Sequence, residues 1–169
     1  MNSTTKNLVV IIIFIALAIG VHLAFKKVVI EDKPVEETTS LKLYYYNPAN
    51  DQGVGGVQCT RAGLVAVDRR IPKTTMPLTE AIKLLLRGEI TAEEKAQGVT
   101  SEFPLPDVNL ISATVSDDGV ATLTFSDPNG RLGGGSCRIA ILWAQIEATA
   151  KQFPTVQSVR FLPEELFQP

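Results

Sequence analysis

The chain has 169 residues, of which 45% are apolar and 20% are charged, and its net charge is −2. This length suits one domain with an appendage, and the mildly acidic balance excludes the basic surface typical of nucleic-acid-binding proteins. The one histidine, His22, lies in an apolar segment, so the sequence predicts no metal site, no cofactor and no Ser-His-Asp catalytic set.

Residues 8–25 form an apolar run without Asp, Glu, Lys or Arg. As a helix that rises about 1.5 Å per residue, the run would span roughly 27 Å, close to the hydrocarbon core of a bilayer. A cleaved signal peptide is the alternative, because residues 16–18 offer a small-residue cleavage site. The run continues well beyond that site. The sequence therefore favours an uncleaved transmembrane anchor, preceded by a short tail (residues 1–7) and followed by a linker (residues 26–40).

The first elements of the following domain are predicted from hydrophobic periodicity. Residues 41–46 alternate between apolar and polar character and predict a strand, and residues 64–71 predict a second strand. Residues 77–87 predict an amphipathic helix. The apolar stripe of that helix comprises Leu78, Ala81, Ile82 and Leu85. A capping-box pattern at Thr91 and Glu94 predicts a short helix next.

A β-hairpin is predicted over residues 109–116 and 120–126. Its loop ends at Gly119, which is expected to adopt the left-handed conformation of a three-residue loop. This loop length aligns two apolar rows on one face, whereas a two-residue loop would mix apolar and polar faces. The predicted pairs in that row are Ile111 with Phe125, Ala113 with Leu123, and Val115 with Ala121.

Residues 136–152 predict a long helix with Ser136 as its N-cap. The residues predicted to form its core face are Ile139, Leu142, Trp143, Ile146 and Ala150. Residues 156–162 predict the last strand, and residues 163–169 a polar tail. The element order β-β-α-(α)-β-β-α-β predicts an α+β fold, a two-layer sandwich in which two main helices cover one face of a mixed sheet.

Several segments in this order match a known family pattern. They are Leu43-Tyr44-Tyr45-Tyr46, Leu64-Val65-Ala66-Val67 with Arg69, the helix from Ala81 to Gly88, the passage from Gly98 to Pro104, Asp118-Gly119, and the turn from Gln152 to Val156. Together they resemble the GerMN domain of bacterial sporulation and germination proteins, over residues 41–162. The resemblance implies an outward-facing envelope protein without catalysis, similar to modules that assemble into rings. Many relatives carry a lipoprotein signal, whereas this chain has the predicted transmembrane anchor.

Cys59 and Cys137 are the two cysteines of the chain, and each lies beside a glycine-rich loop. An even number of cysteines in an exported domain favours a disulfide, and two reduced cysteines are the alternative. The cysteines and the family resemblance together predict a single-pass membrane protein whose C-terminal domain is extracytoplasmic.

Tyr44, Tyr46, Arg69 and Arg70 are predicted to lie on an exposed sheet face. Tyrosine and arginine are favoured at protein interfaces, so these four residues are a candidate interaction surface. Ordinary solvent-facing strand residues are the alternative interpretation.

The function most consistent with these features is a noncatalytic, membrane-tethered binding or assembly module of the bacterial cell envelope. Its partner would be another envelope protein or further copies of itself. Two alternatives remain, a cell-wall glycan hydrolase that uses paired carboxylates and a noncatalytic glycan-binding module. The acidic pairs at residues 93–94, 117–118 and 164–165 lie in a predicted cap, loop and tail, so we do not expect them to be catalytic.

Overall fold

The computed structural model describes residues 15–17, 19 and 37–168. Residues 15–17 and 19 are helical. Within these ranges, no helix is both long enough and apolar enough to cross a membrane. The predicted N-terminal tail, most of the predicted anchor and most of the predicted linker lie outside the described residues. The chain from Glu37 onward forms a compact unit of its own.

The first sheet of this unit is a two-stranded antiparallel pair. Strand β1 (Thr38–Tyr46) begins earlier than predicted and pairs along its whole length with β4 (Leu64–Pro72). The connection between these strands folds into short pieces rather than an irregular loop. The pieces are a 3-10 turn (Pro48–Asp51), a small hairpin of β2 (Gln52–Gly53) and β3 (Gly56–Val57), and a second 3-10 turn (Arg61–Gly63).

Helix α1 (Pro77–Arg87) buries the predicted stripe of four apolar residues. It ends at Gly88, whose φ of 64° is left-handed, and a Cβ there would collide with the carbonyl group of Phe103. The short helix α2 (Ala92–Ala96) opens with the predicted capping box, in which the Thr91 hydroxyl accepts from the Glu94 N–H and the Glu94 carboxylate accepts from the Thr91 N–H.

The second sheet has three strands in the order β5 (Asn109–Val115), β6 (Val120–Ser126) and β7 (Ser158–Leu162). Strands β5 and β6 are antiparallel, and β6 and β7 are parallel. The prediction of one mixed sheet is therefore wrong for the described residues. The outer edge of β1 is covered by side chains of the last helix and by a bridge to Thr100, so no strand adds to it there.

The β5–β6 hairpin has the predicted register near its turn. Ala113 pairs with Leu123, Val115 pairs with Ala121, and Gly119 is left-handed with φ of 79°. The prediction for Ile111 is wrong, because a β-bulge shifts the register and pairs Leu110 with Phe125. Ile111 is consequently 64% exposed.

Helix α3 (Ser136–Lys151) follows a glycine-rich loop, and Gly135 rather than Ser136 occupies its N-cap position. Trp143 was predicted to be a core residue, but its side chain lies at the surface with 37% exposure. The prediction of a purely polar tail is also wrong. Phe167 is buried and packs edge-on against Trp143 and Phe161, with ring centroids 5.5 and 4.9 Å away.

The two main helices join the two sheets around one core. Helix α1 contacts β1 and β5, whereas α3 contacts β1 and β7, and the helices contact each other. The largest fully buried apolar side chains come from both sheets, both helices and the loop before α3. They are Tyr45, Leu43, Ile82, Leu85, Leu123, Leu132, Leu142 and Ile146.

Candidate interaction site

A buried carboxylate organises the connection between β1 and β4. Asp51 accepts hydrogen bonds from the Thr60 N–H and the Thr60 hydroxyl, each at 2.6 Å, and from the Tyr46 hydroxyl. Its main-chain carbonyl accepts from the Gln58 N–H at 2.9 Å. The hydrogen bonds from Thr60, and then that from Tyr46, hold the pKa of Asp51 below its ordinary value. The residues on both sides of Cys59 are therefore tied to one residue, Gln58 to the main-chain carbonyl of Asp51 and Thr60 to its carboxylate.

Tyr46 closes this network from the strand side. Burial, together with the hydrogen bond to Asp51, raises the pKa of Tyr46 to about 12, so its hydroxyl stays protonated and donates. Its ring lies directly against Gly63, where any Cβ would overlap the ring atoms. The Asn47 side chain, next to Tyr46, holds the start of the connection, because its amide donates to the Gln97 carbonyl at 2.8 Å.

Cys59 and Cys137 are joined in a disulfide, with their Cα atoms 5.2 Å apart. Cys59 has a left-handed φ of 58°, which the Asp51 network helps to maintain on either side of it. Cys137 lies exposed in the first turn of α3. The bond therefore connects the β1–β4 connection to the start of the long helix.

An open groove of about 570 Å³ lies beside this disulfide, and we call it the Trp143 groove. One wall is the segment Cys59–Ala62 and the other is the outer face of α3. The lining residues are Cys59, Thr60, Arg61, Ala62, Ala140, Trp143 and Ala144. The disulfide crosses one end, and an ion pair between Arg61 and Glu147 connects the same two walls further along α3.

The Glu147 carboxylate interacts with three cationic or N–H groups beside the groove. It pairs with Arg61, lies 3.5 Å from the Lys151 ammonium group, and accepts from the Trp143 indole N–H at 3.1 Å. Partial burial raises the pKa of Glu147, but these donors, led by Arg61, outweigh that effect and hold the pKa below its ordinary value. The carboxylate is therefore ionised and fixes the orientation of both Arg61 and Trp143.

Trp143 is held in place by an aromatic cluster. Its ring centroid lies 4.4 Å from that of Phe161, and Phe161 in turn lies 6.2 Å from Phe125 in the core. Phe167 supports Trp143 from the C-terminal segment. This packing uses part of the indole surface and leaves the remainder exposed along the groove.

The four residues predicted to form one exposed surface are separated by the structure. Neighbouring residues of a strand point to opposite faces, so Arg69 and Arg70 do not share a face. Arg70 is exposed and Tyr44 is half-buried on the outer face of the first sheet. Tyr46 is buried in the Asp51 network, so its assignment to an exposed surface is wrong.

Arg69 is also not part of a free surface. Its guanidinium group binds both carboxylate oxygens of Glu94 at 2.7 and 2.8 Å and donates to the Glu89 carbonyl at 2.8 Å. This bidentate pair joins β4 to the first turn of α2. The hydrogen bonds from Arg69 lower the pKa of Glu94. The arginine therefore has a structural role.

The groove was not predicted from the sequence, because its two walls are far apart in the chain and meet only in the fold. Asp51 and Thr60 look like ordinary loop residues, and Trp143 fits the apolar period of its helix. One signal was present, namely three alanines, Ala140, Ala144 and Ala148, along a helix that also carries the one tryptophan. In the part of the chain that the structure describes, no group of acidic, histidine and cysteine side chains is arranged to hold a metal ion.

Comparison with known proteins agrees with the fold described above. The family model described as "Germane: Sporulation and spore germination" matches residues 42–165. No match was found among curated proteins.

Two solved structures from Bacillus subtilis are similar to the chain. One contains the tandem GerMN domains of the sporulation protein GerM, with 23% identity, a TM-score of 0.51, and coverage of 78% of this chain and 42% of that one. The other is the first GerMN domain of GerM, with 20% identity, a TM-score of 0.52, and coverage of 76% and 86%. The chain thus spans less than half of the tandem-domain structure. At these identities the likeness shows the fold.

The family match covers most of the domain, from the first strand to the segment beyond the last one. It agrees with the resemblance that the order of motifs indicated, and the two solved structures have the same fold. This chain belongs to the Germane family of sporulation and spore-germination proteins, and its domain is a GerMN domain.

Proposed function

We propose that this chain is a noncatalytic, membrane-tethered binding or assembly module of the bacterial cell envelope, with its GerMN domain outside the cytoplasm. Membership of a family described by sporulation and spore germination supports a role in envelope remodelling rather than in metabolism. The apolar run over residues 8–25 supports attachment through a single N-terminal helix, with the domain on the outer side.

The disulfide is the observation that most directly supports a location outside the cytoplasm. Cys59 and Cys137 are 78 positions apart in sequence, yet the fold brings them to bonding distance. Disulfides form and persist in oxidising compartments and are rare in the bacterial cytosol. A structural disulfide between a loop and a helix terminus therefore supports an extracytoplasmic domain.

The carboxylates argue against the alternative of a glycan hydrolase. A catalytic acid of that class needs a raised pKa so that it holds a proton at neutral pH. Four carboxyl groups of the described domain have pKa values clearly shifted by the fold, and all four are shifted downward. They are Asp51, Glu94, Asp118 and Glu147. Each is ionised and engaged with a hydrogen-bond donor, which suits a structural role.

Protease accessibility tests the proposal directly. Protease added to intact spheroplasts of cells that express the full chain is expected to remove the GerMN domain, while a cytoplasmic marker protein stays whole. Permeabilised spheroplasts are the control, because there both proteins are cleaved. A domain that stays protected until permeabilisation would show that it faces the cytoplasm and would overturn the proposal.

The noncatalytic assignment has its own test. The purified chain, incubated with isolated cell walls, is expected to release no more reducing sugar than buffer does. Release that disappears in Glu93→Gln, Glu164→Gln or Glu165→Gln would favour the hydrolase, because proton transfer needs an ionisable carboxyl group.

A further inference from the structure

We propose that the Trp143 groove binds a short extended segment of a partner protein that presents a bulky apolar side chain beside a carboxylate. This inference rests on the binding function proposed above and gives that function a site and a partner chemistry. It follows from the dimensions of the groove, its apolar lining and the charge at its rim.

The dimensions of the groove suit an extended peptide. Its helical wall is lined by residues from Ala140 to Ala144, which corresponds to roughly 6 Å at about 1.5 Å per residue. An extended chain advances about 3.3 Å per residue, so this length accommodates about two residues, enough for an apolar residue beside an acidic one. The volume of about 570 Å³ lies within the usual range for binding pockets, about 300–1,000 Å³.

The interior of the groove is apolar. The Trp143 N–H already donates to Glu147, so the remaining exposed indole surface is carbon. Ala140, Ala144 and Ala62 leave space that a longer side chain would have filled. An apolar side chain entering this space gains about 25 cal/mol per Å² of buried surface and displaces no hydrogen bond of the indole.

The rim of the groove carries two exposed cations. Arg61 and Lys151 share the single carboxylate of Glu147, whereas the Asp51 carboxylate is buried and bonded to Thr60 and Tyr46. The Arg61 side chain is 58% exposed and remains accessible to a second anion. A partner carboxylate complements these exposed cations, whereas a neutral glycan does not. Tryptophan and arginine are also the residues most enriched among the strongest contacts of protein interfaces.

Both walls of the groove are held in position before any partner arrives. The disulfide fixes one end, and the Asp51 network holds the segment that carries Arg61. Preorganisation lowers the entropic cost of binding a short segment. Trp143 is the one tryptophan of the chain, so its fluorescence reports directly on this groove.

A random library of short linear peptides, displayed and selected on the full-length chain, tests the proposal. The Ala140→Leu chain serves for counter-selection, because its leucine fills the groove from an exposed position. We expect enriched peptides to carry Leu, Ile or Phe within a few residues of Asp or Glu. A synthetic copy of the most enriched peptide should change Trp143 fluorescence saturably, and Ala140→Leu should weaken its binding about tenfold. Ala96→Leu, at an exposed alanine of α2, should leave binding unchanged.

The charge requirement is tested separately by a double-mutant cycle. Arg61→Gln should weaken binding of the acidic peptide. It should have little effect on binding of the analogue in which the acidic residue is replaced by its amide. Arg70→Gln is the matched control at an exposed arginine outside the groove. This cycle also keeps the proposal testable if Ala140→Leu does not fold.

Three outcomes would overturn the inference. They are selection of the same peptides by the Ala140→Leu chain, binding that does not depend on the acidic residue, and a saturable fluorescence response to a soluble chitin oligosaccharide in place of peptides. Dimer formation can be followed by sedimentation. If Trp143 fluorescence changes with protein concentration as the dimer forms, the groove is assigned to a second copy of the chain, and the inference is overturned in this case as well. None of these results bears on whether the domain lies outside the cytoplasm, which the protease experiment tests independently.

Discussion

Asp51 shows how a single buried carboxylate controls a long connection. It joins the end of β1, through Tyr46, to Thr60 on the far side of the β2–β3 hairpin. A charged group is stable in this position because three donors replace its lost hydration. The same contacts set the backbone around Cys59, so this carboxylate also shapes one wall of the Trp143 groove.

We expect Asp51→Asn to lower the melting temperature of the chain by several degrees. The amide keeps one acceptor but turns an N–H₂ group toward donors, so at least one of the three hydrogen bonds is lost. Thermal unfolding followed by circular dichroism measures the change. Asp117→Asn, in the exposed hairpin loop, is the matched control and should leave the melting temperature unchanged.

The same variant should flatten the acid dependence of stability. The folded pKa of Asp51 lies below its ordinary value of 3.8, so its contribution is fully present above that pH and is lost as the pH falls through the folded pKa. Denaturant unfolding between neutral and strongly acidic pH should show a steeper acid loss for the wild type than for Asp51→Asn. Parallel curves of stability against pH for the two proteins would contradict the assignment of Asp51 as a hydrogen-bonded, ionised carboxylate.

Among the elements, α3 is unusual because three of its faces make different contacts. Ile139, Leu142 and Ile146 face the core, while Ala140 and Ala144 line the groove. The third face protects the edge of β1. There the Thr149 hydroxyl accepts from the Tyr44 N–H at 3.1 Å, and the Gln152 side chain, just past the helix end, binds both polar groups of the Lys42 backbone.

We expect Thr149→Val to destabilise the chain by about 1–3 kcal/mol. The substitution keeps the shape of the buried side chain but leaves the Tyr44 N–H without its acceptor. Urea unfolding measures the free energy of unfolding. Thr149→Ser retains the hydroxyl and should recover most of the loss, and equal destabilisation by both variants would indicate a packing effect instead.

For the whole molecule, the disulfide closes a long segment of chain. It links the connection after β1 to the first turn of α3, and the two cysteines are 78 positions apart in sequence. Strands β4, β5 and β6 and helices α1 and α2 lie inside this segment. Closing it reduces the conformational freedom of the unfolded chain far more than that of the folded one.

Reduction of the disulfide is expected to lower the melting temperature, with a loss of up to about 4 kcal/mol of stability. The double variant Cys59→Ser with Cys137→Ser should reproduce that loss, because it has no thiols and its unfolded chain cannot be cross-linked. Thermal unfolding of exported protein, with and without reductant, measures it. Two freely alkylatable thiols in exported protein under nonreducing mass analysis would contradict the bond.

Features that depend on local pattern were predictable. The stripe of α1, the capping box of α2 and the hairpin register around Gly119 follow from helical and strand periods and from loop length. The disulfide was predictable from the number of cysteines. With two cysteines in an exported domain, each has one possible intramolecular partner. The family also followed from the order of these segments, and the family match agrees with it.

Other features depend on which distant segments meet, and only the tertiary structure decided them. Periodicity assigns a residue to a face but does not say what covers that face, so Tyr46 and Arg69 appeared exposed although Asp51 and Glu94 bind them. Trp143 fits the core period of α3, yet its contacts with Phe161 and Phe167 and its hydrogen bond to Glu147 hold its ring at the surface. The separation of the two sheets has the same origin, because Thr149 of α3 and Gln152 just past its end occupy the edge at which another strand would have paired. Local sequence thus determined the elements, whereas burial of polar groups and the shape of the groove arose from contacts between residues far apart in the chain.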